Sequence, residues 1–153
     1  MTTLADDVGD LYQAVILDHG RKPRHAGRLA AFDASAKGDN PMCGDRVEVF
    51  VKYDADDTIG EAGFEARGCA ISIAAADLMA EVVAGRKVSD TRTMFETFRH
   101  MVRSGECPEC DSTMDRLRPL AGVHDYPSRV KCATLPWHAL MAALDGKRIA
   151  TSE

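Results

Sequence analysis

The chain has 153 residues, of which 45% are hydrophobic and 28% are charged, which is typical of one folded domain and excludes a disordered or fibrous chain. Its formal net charge of −5 disfavours binding to the phosphate backbone of nucleic acids. No apolar run approaches the roughly 20 residues of a membrane span, and the N-terminal sequence lacks the features of a signal peptide. We therefore expect a single cytoplasmic domain over residues 1–153 that binds neither nucleic acid nor membrane.

The first half of the chain predicts one helix followed by an antiparallel sheet. Apolar residues recur at helical spacing over residues 4–18. Apolar and polar residues alternate over 47–53 and again over 62–66, and the acidic turn between these runs predicts a hairpin. A third strand around 31–37 is weakly indicated. Phe50 interrupts the polar face of the first hairpin strand, so we expect helices or a partner to cover part of that face.

The second half of the chain predicts helices. One apolar stripe covers 71–82, and a second helix is expected to begin at a cap near Ser89. Residues 104–128 are polar and rich in turn residues, with at most a short helix near 112–118. A last helix is expected to start near Pro136, because proline suits the first turn of a helix. Strands followed by helices predict an α+β fold, in which a small three-stranded antiparallel sheet packs with helices.

The chain contains five cysteines, which is an odd number. In a chain without an export signal, such thiols are more often buried, catalytic or metal-bound than paired in disulfides. A buried structural cysteine is the default interpretation of any one of them, since a free thiol packs like a small apolar group. The five are Cys43, Cys69, Cys107, Cys110 and Cys132.

Cys43 and Asp45 lie two residues apart, just before the first hairpin strand. In an extended chain, side chains at this spacing leave the same face, so a thiolate and a carboxylate would be able to ligate one cation. Gly44 between them allows close approach of the backbone to a metal or a partner. The alternative is a plain β-turn, in which Asn-Pro and Gly-Asp pairs are common.

Two further cysteines precede predicted helices. Cys69 is at the switch from strand to helix, and Cys132 precedes the helix expected to start near Pro136; helix N-termini favour a thiolate. Lys131 adds positive charge beside the second of these thiols, although a solvated surface lysine is an equally good interpretation. Together with the pair above, the two cysteines complete a set of three sulfurs and one oxygen, which suits tetrahedral zinc.

Four motifs resemble, in order over about residues 8–145, the SufU-type branch of the IscU/NifU-N family of iron–sulfur cluster assembly proteins. Lys131 stands where the scaffold branch of that family has histidine, and an insertion, about 104–128, separates the second and third family cysteines; both features resemble SufU more than IscU. The motifs are Leu11–His19 with Lys22–Arg24, Asn40–Asp45, Gly68–Ser72 and Arg129–Leu135.

The resemblance implies an IscU/SufU-like fold and a specific chemistry. The chain would be a zinc-dependent sulfur acceptor that takes persulfide sulfur from a SufS-type, PLP-dependent cysteine desulfurase and passes it to downstream SUF assembly components. Cys43 would be the accepting thiol, and Arg129 would help to engage the desulfurase. The implied zinc ligands are Cys43, Asp45, Cys69 and Cys132.

Two other functions stay open at this point. The same four residues would serve a scaffold on which a [2Fe–2S] cluster is built, against which Lys131 argues, because an ammonium replaces an imidazole poorly near a cluster. Alternatively, zinc would only stabilise the fold of a binding module. The resemblance assigns no role to Cys107 and Cys110, whose C-x-x-C spacing fits half of a metal site, a redox dithiol or sulfur relay, or two exposed thiols in a variable loop.

Overall fold

The computed structural model describes residues 4–41, 44–55, 57–108 and 110–150, with side chains from residue 13 onward. These residues contain four α-helices, three strands and two short 3-10 helices. In chain order they are α1 (Leu4–Arg21), β1 (Ala34–Asn40), β2 (Asp45–Asp54), β3 (Thr58–Arg67), α2 (Ala70–Val83), α3 (Val88–Ser104), the first 3-10 helix (Ser112–Met114), the second 3-10 helix (Arg118–Asp125) and α4 (Pro127–Leu144).

The three strands form an antiparallel sheet in the order β1-β2-β3. Asn40 at the end of β1 pairs with Asp45 at the start of β2, and Arg46 pairs with Arg67 at the end of β3. The predicted α+β class and its three-stranded antiparallel sheet are therefore confirmed. The weakly indicated edge strand exists but spans 34–40 rather than 31–37.

Phe50 lies on the sheet face that its strand otherwise presents with polar residues, and it is completely buried. The Phe32 ring packs against it at 5.0 Å between centroids, and the Arg28 guanidinium lies 5.3 Å from its ring centroid. Both residues belong to the connection between α1 and β1. The expected cover on this face is thus supplied by a connecting segment and not by a helix.

The other sheet face packs against helices, and α2 lies at the centre of this layer. Helix α2 contacts α1, α4 and β3, while α4 also contacts β1 and β2. Most residues of α2 are buried, which agrees with its many alanines and its lack of a polar stripe. Trp137 of α4 closes the core on the far side by stacking on Phe95 and Phe98 of α3, at 5.9 and 5.3 Å between ring centroids.

The prediction that the last helix starts near Pro136 is wrong, because α4 begins at Pro127. Pro127 occupies the first turn, where a missing N–H costs nothing. Pro136 is buried inside the helix, where proline removes one backbone hydrogen bond. Burial of the α4 residues around it against the sheet and α2 outweighs that loss, which local sequence rules do not register.

Two smaller predictions about helix boundaries also fail. Lys87 occupies the N-cap position of α3 without a capping side-chain hydrogen bond, so Ser89 lies inside the helix instead of capping it. Residues 104–128 contain a second 3-10 helix in addition to the short one near 112–118. Leu120 and Val123 of this second helix are buried, and their burial stabilises a segment whose polar composition predicted a loop.

A buried acid ties α1, α2 and the α1–β1 connection together. Asp77 of α2 is fully buried, and its Oδ2 lies 2.5 Å from Nδ1 of His19 in α1. Its Oδ1 accepts hydrogen bonds of 2.8 Å from the backbone N–H groups of Arg24 and His25. One side chain therefore satisfies three donors from two other segments.

None of the described helices is both long and apolar enough to cross a membrane.

We predict that Asp77→Ala lowers the free energy of unfolding by about 3 kcal/mol, because it leaves three donors without their buried acceptor. Urea denaturation followed by circular dichroism measures the loss. Arg24→Ala is the matched control: it removes an exposed ion pair between Arg24 and Asp18 but keeps the backbone donor, and should cost less than about 1 kcal/mol. Equal losses in the two variants would contradict the structural role of Asp77.

Candidate metal centre

Asp45, Cys69 and Cys132 converge at one end of the sheet. Their ligand atoms all lie within 4.8 Å of one another, and Asp45 and Cys132 are almost completely buried. Oδ2 of Asp45 lies 3.6 Å from Sγ of Cys69. Oxygen and sulfur ligands of a tetrahedral zinc ion are about 3.5 Å apart, so this pair is already spaced as zinc ligands are. The types of ligand atom in the set also fit zinc.

Three different elements position these side chains. Asp45 is the first residue of β2, where its pairing with Asn40 closes the β1–β2 connection. Cys69 is the N-cap residue of α2, as the sequence predicted. Cys132 lies in the second turn of α4 and not ahead of that helix, because α4 begins at Pro127. Its thiol therefore reaches the site from the side of a helix and not from a helix N-terminus.

Gly68 allows Asp45 and Cys69 to approach each other. Oδ1 of Asp45 accepts a hydrogen bond of 3.0 Å from the backbone N–H of Cys69. Gly68 has a φ of +146°, and a Cβ atom built on it would overlap with Oδ1 of Asp45. The junction between β3 and α2 thus requires the one residue that has no side chain. Sequence reasoning missed this role, although the glycine directly before a candidate ligand at a strand-to-helix switch was a signal for it.

The thiol of Cys69 is held largely ionised at neutral pH. Hydrogen bonding from Cys132, assisted by the backbone N–H groups of Ser72 and Ile71, lowers the pKa of Cys69 to about 6. Burial and the nearby carboxylate of Asp45 oppose this shift. Backbone N–H groups in the first turn of a helix stabilise a thiolate in this way.

Arg129 is a cation that interacts with these thiols. Its side chain is exposed at the start of α4. The Cys69 thiolate and hydrogen bonding to Cys132 raise the pKa of the Arg129 guanidinium. Lys131, also in α4, is exposed as well. Of the predicted site residues, the structure thus brings Asp45, Cys69, Cys132 and Arg129 together, while Cys43 lies outside the described residues.

We predict that Gly68→Ala lowers the affinity for added zinc about tenfold or more, because the new methyl group displaces the carboxylate of Asp45. Competition with a chromophoric chelator measures the affinity. Gly85→Ala is the matched control, since Gly85 also has a positive φ of +82° but a Cβ there meets nothing within 4 Å. It should cost about 1 kcal/mol of stability through backbone strain and leave zinc affinity unchanged. Equal zinc affinities in both variants would show that Gly68 does not position Asp45.

We predict that Cys69 in the zinc-free protein is alkylated by iodoacetamide with a midpoint near pH 6, and that Cys132→Ala raises this midpoint. Alkylation followed by peptide mass spectrometry at pH 4–10 tests both statements. Since the lowered pKa belongs to the folded state, its contribution to stability is full above the ordinary thiol pKa and disappears as the pH falls through 6. A midpoint at the ordinary thiol value, unchanged by the substitution, would contradict the hydrogen-bond assignment.

Comparison with known proteins assigns the chain to a family. A family model described as the NifU-like N terminal domain matches residues 11–133. The chain is 36% identical over 143 residues to the "Iron-sulfur cluster assembly scaffold protein IscU" of Streptococcus pyogenes serotype M1, covering 94% of this chain and 87% of the relative. It is 37% identical over 130 residues to the "Zinc-dependent sulfurtransferase SufU" of Bacillus subtilis (strain 168), covering 85% of this chain and 86% of the relative.

A solved structure of a protein named for iron–sulfur cluster assembly has a similar fold. The crystal structure of a putative iron–sulfur cluster assembly scaffold protein for the SUF system from Fervidobacterium islandicum AW-1 superposes with a TM-score of 0.77 at 31% identity, over 85% of this chain and 93% of that one. The resemblance found in the sequence motifs is confirmed at the level of the family. The chain belongs to the NifU-like N terminal domain family of iron–sulfur cluster assembly proteins.

Proposed function

We propose that this protein is a zinc-dependent sulfur acceptor in iron–sulfur cluster assembly, which takes persulfide sulfur from a SufS-type cysteine desulfurase. The observation that carries the proposal is the convergence of Asp45, Cys69 and Cys132 within ligand distance of one another. Two thiols and a carboxylate in a largely buried site are costly without a cation, and zinc prefers this ligand set.

Cys43 supplies the fourth ligand in this proposal. It is two residues from Asp45 in the sequence, so the covalent chain keeps the two Cα atoms within about 7 Å of each other. Gly44 between them has a φ of +73° and donates a 2.8 Å hydrogen bond to the carbonyl of Asn40. The complete set is Cys43, Asp45, Cys69 and Cys132. Bound zinc would keep the cysteine ligands deprotonated at neutral pH.

Cys43 is also the proposed accepting thiol. Its thiolate attacks the outer sulfur of a cysteine persulfide on the desulfurase, and a new S–S bond forms while the S–S bond of the donor breaks. The donor cysteine leaves as a thiolate and takes up a proton from solvent. The transfer involves no net oxidation, and the acceptor now carries the persulfide, which downstream SUF components consume.

Arg129 is the residue that we propose assists the encounter with the desulfurase. Its guanidinium is exposed at the start of α4 yet interacts with the thiols of Cys69 and Cys132. A cation at the rim of a thiol site attracts an approaching anionic persulfide and offers planar hydrogen-bond donors to a partner surface. We therefore assign Arg129 to partner and persulfide recognition.

A [2Fe–2S] scaffold is the second candidate, because relatives of comparable identity carry the scaffold name. The residue before the last cysteine favours the acceptor. Lys131 is an exposed lysine, whereas imidazole is a common ligand of zinc and iron. The name of the Bacillus subtilis relative supports the same choice.

We predict that Cys43→Ala abolishes sulfur transfer from a SufS-type desulfurase. Desulfurase, PLP and ³⁵S-cysteine are incubated with the zinc-loaded protein, and label on this chain is read on non-reducing gels. Wild type should become labelled and accelerate cysteine turnover, whereas the variant should do neither because it lacks the accepting thiolate. Cys107→Ser/Cys110→Ser is the matched control and should be labelled as well as wild type. Labelling of the Cys43→Ala variant at the wild-type rate would reject the assignment.

Native mass spectrometry of protein purified without oxygen separates the candidates. One zinc per chain without iron or sulfide supports the acceptor. A bound iron–sulfur mass that disappears in Cys43→Ala supports the scaffold instead. If removal of zinc unfolds the chain and the zinc-loaded protein does not change the rate of desulfurase turnover, the ion only stabilises a binding module.

A further inference from the structure

The two cysteines of the C-x-x-C motif lie outside the candidate metal centre. Cys107 and Cys110 are in the connection between α3 and the first 3-10 helix, and they form a disulfide with 5.3 Å between their Cα atoms. That separation is within the usual range for a disulfide. Cys69 and Cys132 are also near neighbours but are not joined by a disulfide. The fold therefore pairs the cysteines of the insertion and keeps those of the metal centre apart.

This arrangement discriminates among the interpretations that the sequence left open. Both cysteines are half-buried and pack against the core, so they are not two exposed thiols in a variable loop. Within the described part of the chain, no other Cys, His, Asp or Glu forms a metal-binding group with them. A pair that is bonded, partly accessible and without further ligands favours the redox interpretation.

The surrounding segment does not depend on the disulfide for its position. Gly105 ends α3 in the left-handed conformation and donates a hydrogen bond to the carbonyl of Met101. The ring of His124 packs against Gly105 so closely that a Cβ there would lie 2.7 Å from Nδ1. Beyond the motif, Met114 and Leu117 are buried in the core. These contacts hold the segment at both ends of the motif.

The loop closed by the disulfide is short, so the disulfide adds little to the stability of the fold. A bridge between positions 107 and 110 restricts only a short stretch of the unfolded chain, and short loops gain the least stability from a cross-link. The disulfide also joins no two helices or strands, since both cysteines belong to one connection. Opening it should leave the packing of α3 and the second 3-10 helix in place, which a reversible redox pair requires.

We propose that Cys107 and Cys110 form a reversible dithiol–disulfide pair, a redox-modification site that exchanges with low-molecular-weight thiols and disulfides. In oxidation, the thiolate of one cysteine attacks a small-molecule disulfide, forms a mixed disulfide and releases one small thiol. The thiolate of the other cysteine then attacks the protein sulfur of that mixed disulfide and releases the second thiol. Two electrons pass from the dithiol to the small-molecule disulfide, and two small thiols reverse the reaction.

The test is redox titration of the zinc-loaded, full-length protein with defined mixtures of reduced and oxidised glutathione under nitrogen. Samples are quenched in acid, alkylated, digested and analysed by mass spectrometry for the peptide that contains both cysteines. We expect both thiols to disappear together as the proportion of oxidised glutathione rises, and to return fully when the ratio is reversed. The zinc content should stay constant throughout, because the metal centre does not take part.

Single substitutions make the test specific. In Cys107→Ser and in Cys110→Ser, the remaining cysteine lacks its resolving partner, so it should retain one glutathione in a stable mixed disulfide. Thermal unfolding within a few degrees of wild type shows that both variants are folded. The proposal is overturned if both wild-type thiols are alkylated at every ratio, or if a second zinc ion is lost in the double Cys→Ser variant. Either result leaves the sulfur-acceptor proposal standing, because Cys43 is assayed separately.

Discussion

The candidate site depends on the contact between Asp45 and the junction of β3 with α2. The carboxylate accepts the backbone N–H of Cys69, and it occupies space that any side chain at position 68 would need. One hydrogen bond and one missing Cβ therefore set both the start of α2 and the position of a candidate ligand. Because α2 also contacts α1, α4 and β3, the same junction fixes how the helical layer approaches the end of the sheet.

The electrostatics of the site follow from this packing. The carboxylate that orients Cys69 also opposes its ionisation, while hydrogen bonds from Cys132 and from the first turn of α2 favour the thiolate. The balance leaves negative charge in a largely buried site, and the exposed guanidinium of Arg129 interacts with its thiols. An exposed guanidinium compensates buried charge only in part, because solvent screens it. A divalent cation held by these ligands would offset two of the negative charges directly, which is a physical reason for the metal site proposed above.

Local sequence patterns predicted the strands and most of the helices, and they failed where long-range packing decides the outcome. Alternation over 47–53 and the stripe over 71–82 report burial directly, and both elements are present. The prediction that α4 starts near Pro136 failed, because burial of the surrounding residues outweighs the local preference of proline for a first turn. Spacing and motif order selected Asp45, Cys69 and Cys132, yet the role of Gly68 depends on an atom that comes from another strand. The spacing of Cys107 and Cys110 was compatible with a metal site, a redox dithiol or exposed thiols, and only the folded insertion shows that the two are bonded.

The two groups of cysteines place different thiol chemistries in one small fold. In the metal centre, the strands and helices hold Cys69 and Cys132 next to a carboxylate, and a bound cation would shield both thiolates from small oxidants. In the insertion, the cysteines lie three positions apart in one connection, so each is the nearest reaction partner of the other. When the pair is reduced and a cation is bound at the metal centre, an oxidant should therefore react first at the insertion. If sulfur transfer requires a free thiolate at Cys43, such a division preserves the acceptor while the insertion changes its oxidation state.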